Sequence, residues 1–243
     1  MSEAKRVQLQ TAWLLHHRPF RDTSQLLDVM TAEYGRISLV ARGSRSAKSK
    51  LKGLLRPFLP LSISWYSRSE LGTLTGAEAA GRPLVLSGDA LMAAYYLNEL
   101  IINLLHRHDP HPEVFAAYGS TLKNLSTSVQ LAAELRSFEI DLLSWVGYGV
   151  VLEHDNATGD ELHDDRRYEY RPETGPVPVG ASAGQMVFTG GELKSIARRD
   201  FADQGTLRCA GRLMRGVIAY HLNGKELRSR RVLREVHSST RAS

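Results

Sequence analysis

One cysteine, Cys209, stands among 243 residues. That excludes an intramolecular disulfide and an all-cysteine zinc site, and it leaves the cytoplasm as the expected compartment. Long apolar runs are missing too, since the longest stretch, Leu97 to Leu105, is interrupted by Asn98, Glu99 and Asn103. Neither a membrane span nor, in the polar first ten residues, a secretory signal is expected. Aromatic residues make up only 7% of the chain. The most telling absence is local: between Tyr34 and Ser69 there is no Asp or Glu.

That acid-free stretch carries Arg36, Arg42, Arg45, Lys48, Lys50, Lys52, Arg56 and Arg68. The whole chain is only +5, so with eight positive charges here the remainder is net acidic, at -3. A solvated loop can look like this, but concentrated positive charge also steers and holds a polyanion. The alternation around Ile37 and Leu39 turns Arg36, Ser38, Val40 and Arg42 toward the opposite face of a strand. The connection from Gly43 to Gly53, with its three lysines, reads as a mobile basic loop beside that strand.

Length and an apolar content of 42% allow two modest domains. Over the first eighty residues, period-two segments recur at Val7 to Leu15, Leu27 to Val29, Ile37 to Leu39, Leu61 to Trp65 and Leu71 to Ala80, with Arg18-Pro19 read as a break and Tyr34-Gly35 as a tight turn. About five short strands fit a small closed barrel, of which the OB-fold is the common single-strand binder. Trp13 and Trp65 fall in phase with the core, whereas Phe20 and Tyr66 fall outside it and are candidates for stacking on bases.

After Gly81-Arg82-Pro83 the period becomes helical. Ser87 reads as an N-cap before a stripe of Leu91, Ala94, Tyr95, Leu97, Ile101 and Leu104; a second helix opens at Pro112; a third, near Val129 to Val146, is stopped by Gly147-Tyr148-Gly149. These three helices are expected to share a core. Residues 150–185 read as an irregular or β-like insertion, and helices return near Gly191 to Arg198 and from Thr206 to Leu222. The expected architecture is α+β: a five-stranded OB-fold barrel over 1–82, then an all-α helical domain over 83–243 with the insertion inside it.

The last helix carries Arg208, Arg212 and Arg215 on one face, and Lys225, Arg228, Arg230, Arg231 and Arg234 follow, opposed from Gly205 to Arg234 only by Glu226. This is either an arginine-rich exposed face or a second anionic contact, to nucleic acid or to an acidic segment of a partner.

Catalytic constellations are not assembled by spacing. Gly43 to Ser49 lacks the glycine that precedes the lysine of a phosphate loop. His106, His108 and His111 read as helix C-terminal residues facing the dipole, and His154, Asp155, His163, Asp164 and Asp165 as a solvated loop. Cys209 reads as packing. Neither a catalytic residue, a metal nor a cofactor is expected.

A series of segments then resembles a known family. Arg18-Pro19-Phe20, Ser24, Leu26-Leu27-Asp28, Thr31, Gly35-Arg36, Val40-Ala41-Arg42-Gly43, Arg45, Leu51-Lys52-Gly53 and Arg56-Pro57-Phe58 are similar to the N-terminal domain of the bacterial RecO recombination mediators. Tyr96-Leu97-Asn98-Glu99-Leu100, Leu135-Arg136, Phe138-Glu139, Gly147-Tyr148-Gly149, Phe188-Thr189-Gly190 and Arg228-Ser229-Arg230 continue it along the chain. The resemblance implies a non-catalytic, cytoplasmic and nucleoid-associated role. Its members bind single- and double-stranded DNA, anneal complementary strands, bind the acidic C-terminal tail of single-strand-binding protein, and act with RecR to let RecA load. Many carry a four-cysteine zinc ribbon where this chain has no cysteine, which places it with the zinc-less branch. The DNA-facing set expected here is Arg36, Arg42, Arg45, Lys48, Lys50, Lys52, Arg56 and Tyr66. For the partner tail the resemblance points to Arg136, whose alternative is an intrahelical pair with Glu134 or Glu139. A general OB-type single-strand binder is the other reading.

Overall fold

The computed structural model describes residues 5–180 and 184–229. Five strands, β1 (Lys5–Phe20), β2 (Ser24–Thr31), β3 (Gly35–Ala41), β4 (Pro60–Ser67) and β5 (Leu71–Ala79), close into a barrel in the order β1-β2-β3-β5-β4. All neighbours are antiparallel except β3 and β5, which run parallel over three residue pairs, Ser38 to Val40 against Leu71 to Thr73. This is the OB-fold. Inward positions Val7, Leu14, Leu27, Val29, Ile37, Leu39, Ile63, Trp65 and Leu74 fill it.

β1 is much longer than its sequence signal. Arg18-Pro19 does not break it: Pro19 pairs with Gln25 and Phe20 with Ser24, and only Arg21 to Thr23 turn the chain. Two irregularities, between Val7 and Gln10 against β4 and between Leu14 and His16 against β2, let one strand serve both neighbours. Leu9 sits in the first with φ 53 and is 72% exposed, so the expected alternation fails there.

Two helices, α1 (Gly88–Leu104) and α2 (Pro112–Leu125), pack on β1 and β2 respectively. Trp13, an outward residue of β1, is buried beneath them and meets the Tyr118 ring edge-on at 5.6 Å. Buried Asn98 donates to the Leu15 carbonyl at 2.8 Å and accepts from the Tyr118 hydroxyl. Tyr96 is buried and Tyr95 is 43% exposed, the reverse of the phase expected from the apolar stripe. The histidines do not cap α1: His106 and His108 are exposed in the connection to α2, and His111 is the N-cap residue of α2, 3.1 Å from Asp109.

By packing, the chain divides into two units, Met1–Thr127 and Ser128–Ser243. The expected three-helix core is divided accordingly, α1 and α2 going with the barrel. In the second unit α3 (Leu131–Trp145) packs on α5 (Gln204–His221), and α4 (Gly190–Ala197) packs on α5 and on the strand that precedes it. Gly147, at φ +84, stops α3 as expected: its N–H donates to Ser144 and that of Tyr148 to Leu143. The insertion is a three-stranded sheet, β6 (Arg167–Arg171), β7 (Gly175–Pro178) and β8 (Val187–Thr189), in the order β7-β6-β8. α4 opens with a capping box between Thr189 and Glu192.

Candidate functional site

The outward row of the barrel is read from its register, because directly paired residues share a face. Arg18, Leu26, Val40, Thr73 and Tyr66 follow one another across β1, β2, β3, β5 and β4. One step toward the β1–β2 turn lies a groove of about 520 Å³, bounded by that turn, the start of the β3–β4 connection and the β4–β5 turn. Phe20, Arg21, Ser24, Val40, Arg42, Leu71 and Thr73 line it, and none of the described lining residues is acidic. Strands 2 and 3 with these loops form the face on which OB-folds hold oligonucleotides.

Of the expected set, Arg42 lines this groove and is exposed. Arg45 shapes its lip: its backbone N–H donates to Thr23 at 2.8 Å, and its guanidinium reaches the Asp22 carbonyl at 3.3 Å. Lys48, Lys50, Lys52 and Arg56 are exposed on the connection but outside the lining. That connection is not a free loop. Successive turns carry it, and Leu55 and Leu59 enter the barrel core while Leu51 and Leu54 pack against it. Tyr66, half-buried, stands next to Thr73 across β5, also outside the groove.

Arg36 corrects the sequence reading. It does face outward, but its guanidinium donates to the Leu105 carbonyl at 3.1 Å and 3.3 Å and lies 3.7 Å from Asp28, leaving the side chain 12% exposed. Burial lowers its pKa against the opposing pull of Asp28. Arg107, also on Asp28 at 3.6 Å, is the more open member of the trio. Sequence reasoning passed over Arg18, read as a strand break, and Arg21, which the unexpected length of β1 brings to the rim.

A second groove, of about 440 Å³, runs along the C-terminal half of α5. Ile218, Ala219, Leu222 and Leu227 give it an apolar floor, Arg136, Arg215 and Lys225 a basic rim, and Glu226 one carboxylate. Arg136 is both a rim residue and an intrahelical partner, donating to the fully buried Glu139 carboxylate at 2.7 Å. The arginines of α5 divide their work. Arg208 is exposed; Arg212 donates to the Val187 carbonyl at 2.9 Å and lies 4.3 Å from the centre of the Phe188 ring; Arg215 reaches the groove. Arg228 is exposed beyond it, while Arg230, Arg231 and Arg234 lie outside the described residues.

Of the polar loop cluster, His154, His163, Asp164 and Asp165 are exposed as expected. Asp155, expected to be solvated, is 2% exposed and accepts from the Ala157 N–H at 2.9 Å, and Asp164 pairs with Lys194. Cys209 donates to Glu192 at 3.0 Å, and burial together with that carboxylate pushes the thiol up to about 11, which keeps it protonated. No group of three or more His, Cys, Asp or Glu placed to hold a metal ion occurs among the described residues, and no described helix is long and apolar enough to cross a membrane.

Comparison with known proteins agrees with the resemblance. The family model described as "Recombination protein O N terminal" matches residues 6–82, and "Recombination protein O C terminal" matches 86–231. Relatives called "DNA repair protein RecO" include one from Nitrosococcus oceani, 44% identical over 95% of this chain and 94% of its own, and one from Methylococcus capsulatus, 42% identical over 96% and 95%. Another, from an Azoarcus species, is 39% identical over 97% of this chain and 99% of its own. With a closed OB barrel at its start and both family models matched in order along its length, this chain belongs to the RecO family of DNA repair proteins.

Proposed function

We propose that this chain is a non-catalytic mediator that holds single- and double-stranded DNA by its phosphates, anneals complementary strands and, with RecR, helps RecA load onto DNA coated with single-strand-binding protein. The observation that carries this reading is the basic, acid-free groove between the β1–β2 and β4–β5 turns, with Arg21 and Arg42 in its lining. Annealing requires that phosphates be neutralised while base edges stay free to pair. Arg21 and Arg42 with the small hydroxyls of Ser24, Ser69 and Thr73 are groups that contact phosphates.

The α5 groove fits the acidic tail of single-strand-binding protein, its apolar floor taking the end of the tail and Arg136, Arg215 and Lys225 its carboxylates. The other reading, a general single-strand binder, rests on the barrel groove alone.

Strand annealing on coated DNA separates the two. The wild-type chain is expected to anneal, with and without RecR, and with about four phosphate contacts its affinity for bare single strands should fall with salt at a log–log slope of roughly -3. The double charge reversal Arg21→Glu with Arg42→Glu should abolish annealing and flatten that slope by about 1.5. A wild-type chain that binds but only competes with the coat would leave the general binder, and an unaltered slope in the double variant would remove the groove from the interface.

A further inference from the structure

Resting on the reading of the barrel groove as a single-strand site, we propose that Phe20 is a base-stacking platform that the free protein keeps covered with the Arg21 guanidinium. Phe20 is the last residue of β1, half-buried, and it is the one aromatic ring among the described residues that line the groove. Of the other phenylalanines, Phe58, Phe138, Phe188 and Phe201 are buried, and Phe115, on α2 away from the groove lining, is half-buried as Phe20 is. The Phe20 ring shares the groove with Val40 and Leu71. The group over it is polar: the Arg21 guanidinium carbon lies 5.3 Å from the ring centroid.

The backbone adds to this. Arg21 has φ 52, the left-handed region that a turn fills most cheaply with Gly or Asn. A turn alone gives no reason for arginine at that position, whereas its side chain has two uses there, over the ring in the free protein and on a phosphate in the complex. An exposed cation–π contact is worth roughly two- to five-fold in an equilibrium. Stacking of a base on an aromatic ring is worth roughly five- to a hundred-fold. A base therefore displaces the guanidinium, which is left beside the phosphate of the nucleotide that displaced it. Arg42 lines the same groove, and the outward Arg18 stands two residues before Phe20 on β1. Every base has a ring face, so such a platform grips without selecting sequence, as an annealing protein requires.

The test uses the full chain, a short oligothymidylate and an abasic sugar-phosphate strand of the same length, with affinities measured at several salt concentrations. Wild type should prefer the base-bearing strand by about tenfold. Phe20→Leu should bind that strand as weakly as the abasic one, and Phe20→Tyr, which keeps the ring, should keep the preference. A Phe20→Leu protein that retains the wild-type preference, or a Phe20→Tyr protein that loses it, overturns the proposal. The two readings fail differently. If Arg21→Glu with Arg42→Glu weakens both strands while Phe20→Leu keeps the base preference, the groove stands and the role of Phe20 falls. If the double charge reversal changes neither affinity nor salt slope, the groove is not the interface and the platform falls with it.

Discussion

Arg36 and Arg42 lie six positions apart with the same charge, and the fold gives them opposite work. Arg36 is spent on the Leu105 carbonyl and Asp28, while Arg42 stands open at a groove. Sequence shows the charge but not a carbonyl 69 positions away, so the basic run was legible and its division between structure and surface was not. Arg136 repeats the lesson, because the intrahelical pair with buried Glu139 is formed and the same side chain still borders the groove proposed for the tail. Arg136→Ala should therefore lower the stability of its unit by about 3 kcal/mol, seen in urea unfolding, and any loss of tail binding in that variant is partly a loss of fold. Arg215 is exposed and gives the cleaner measurement. Arg215→Ala should move stability by less than about 0.5 kcal/mol and still weaken a labelled acidic peptide ending in an aromatic residue. An unchanged titration would take the peptide out of this groove.

Elements whose limits are written locally were legible. Pro112 opens α2 and Gly147 closes α3 where their backbone preferences demand it. Phase and partner were less accessible. Asn98 counts as polar in any stripe, yet it is buried because Leu15 and Tyr118 satisfy both ends of its amide, and that turns α1 so that Tyr96 rather than Tyr95 faces inward. β1 was underestimated because its irregularities reset the alternation and because Pro19 stands where a strand was expected to end. Gly35 is the turn glycine its sequence context predicts, with φ +62, and it has a second role. A Cβ there would lie 2.1 Å from the Asp109 carbonyl oxygen, so the connection after α1 can approach the barrel only over a glycine. Gly35→Ala should cost at least about 2 kcal/mol, since it combines a disfavoured backbone region with displacement of that connection. A melting temperature within a degree or so of wild type would show that the approach is not needed.

At the scale of the molecule, the barrel and the helices α3, α4 and α5 could be anticipated from the change of hydrophobic period near residue 82 and its return after the insertion. The allegiance of α1 and α2 could not, because the buried faces of a helix do not name what covers them. The closing strand pair of the barrel has a further consequence, in time rather than in space. β1 meets β2 across a three-residue turn, Phe20 opposite Ser24, but meets β4 only through distant partners such as Thr11 and Ser62. Pairs near in sequence form at little entropic cost, and distant ones wait for long loops to close. The β1–β2–β3 meander, which holds Phe20, Arg21 and Arg42 near one another, should thus become protected against hydrogen exchange before the first half of β1 docks on β4. Pulse labelling during refolding would show it as early protection of Leu27 and Val29 and late protection of Val7 and Ile63, and simultaneous protection would mean that the ring closes in a single step. The side of the proposed DNA groove that carries Phe20, Arg21 and Arg42 is then older, within each folding event, than the barrel that completes it.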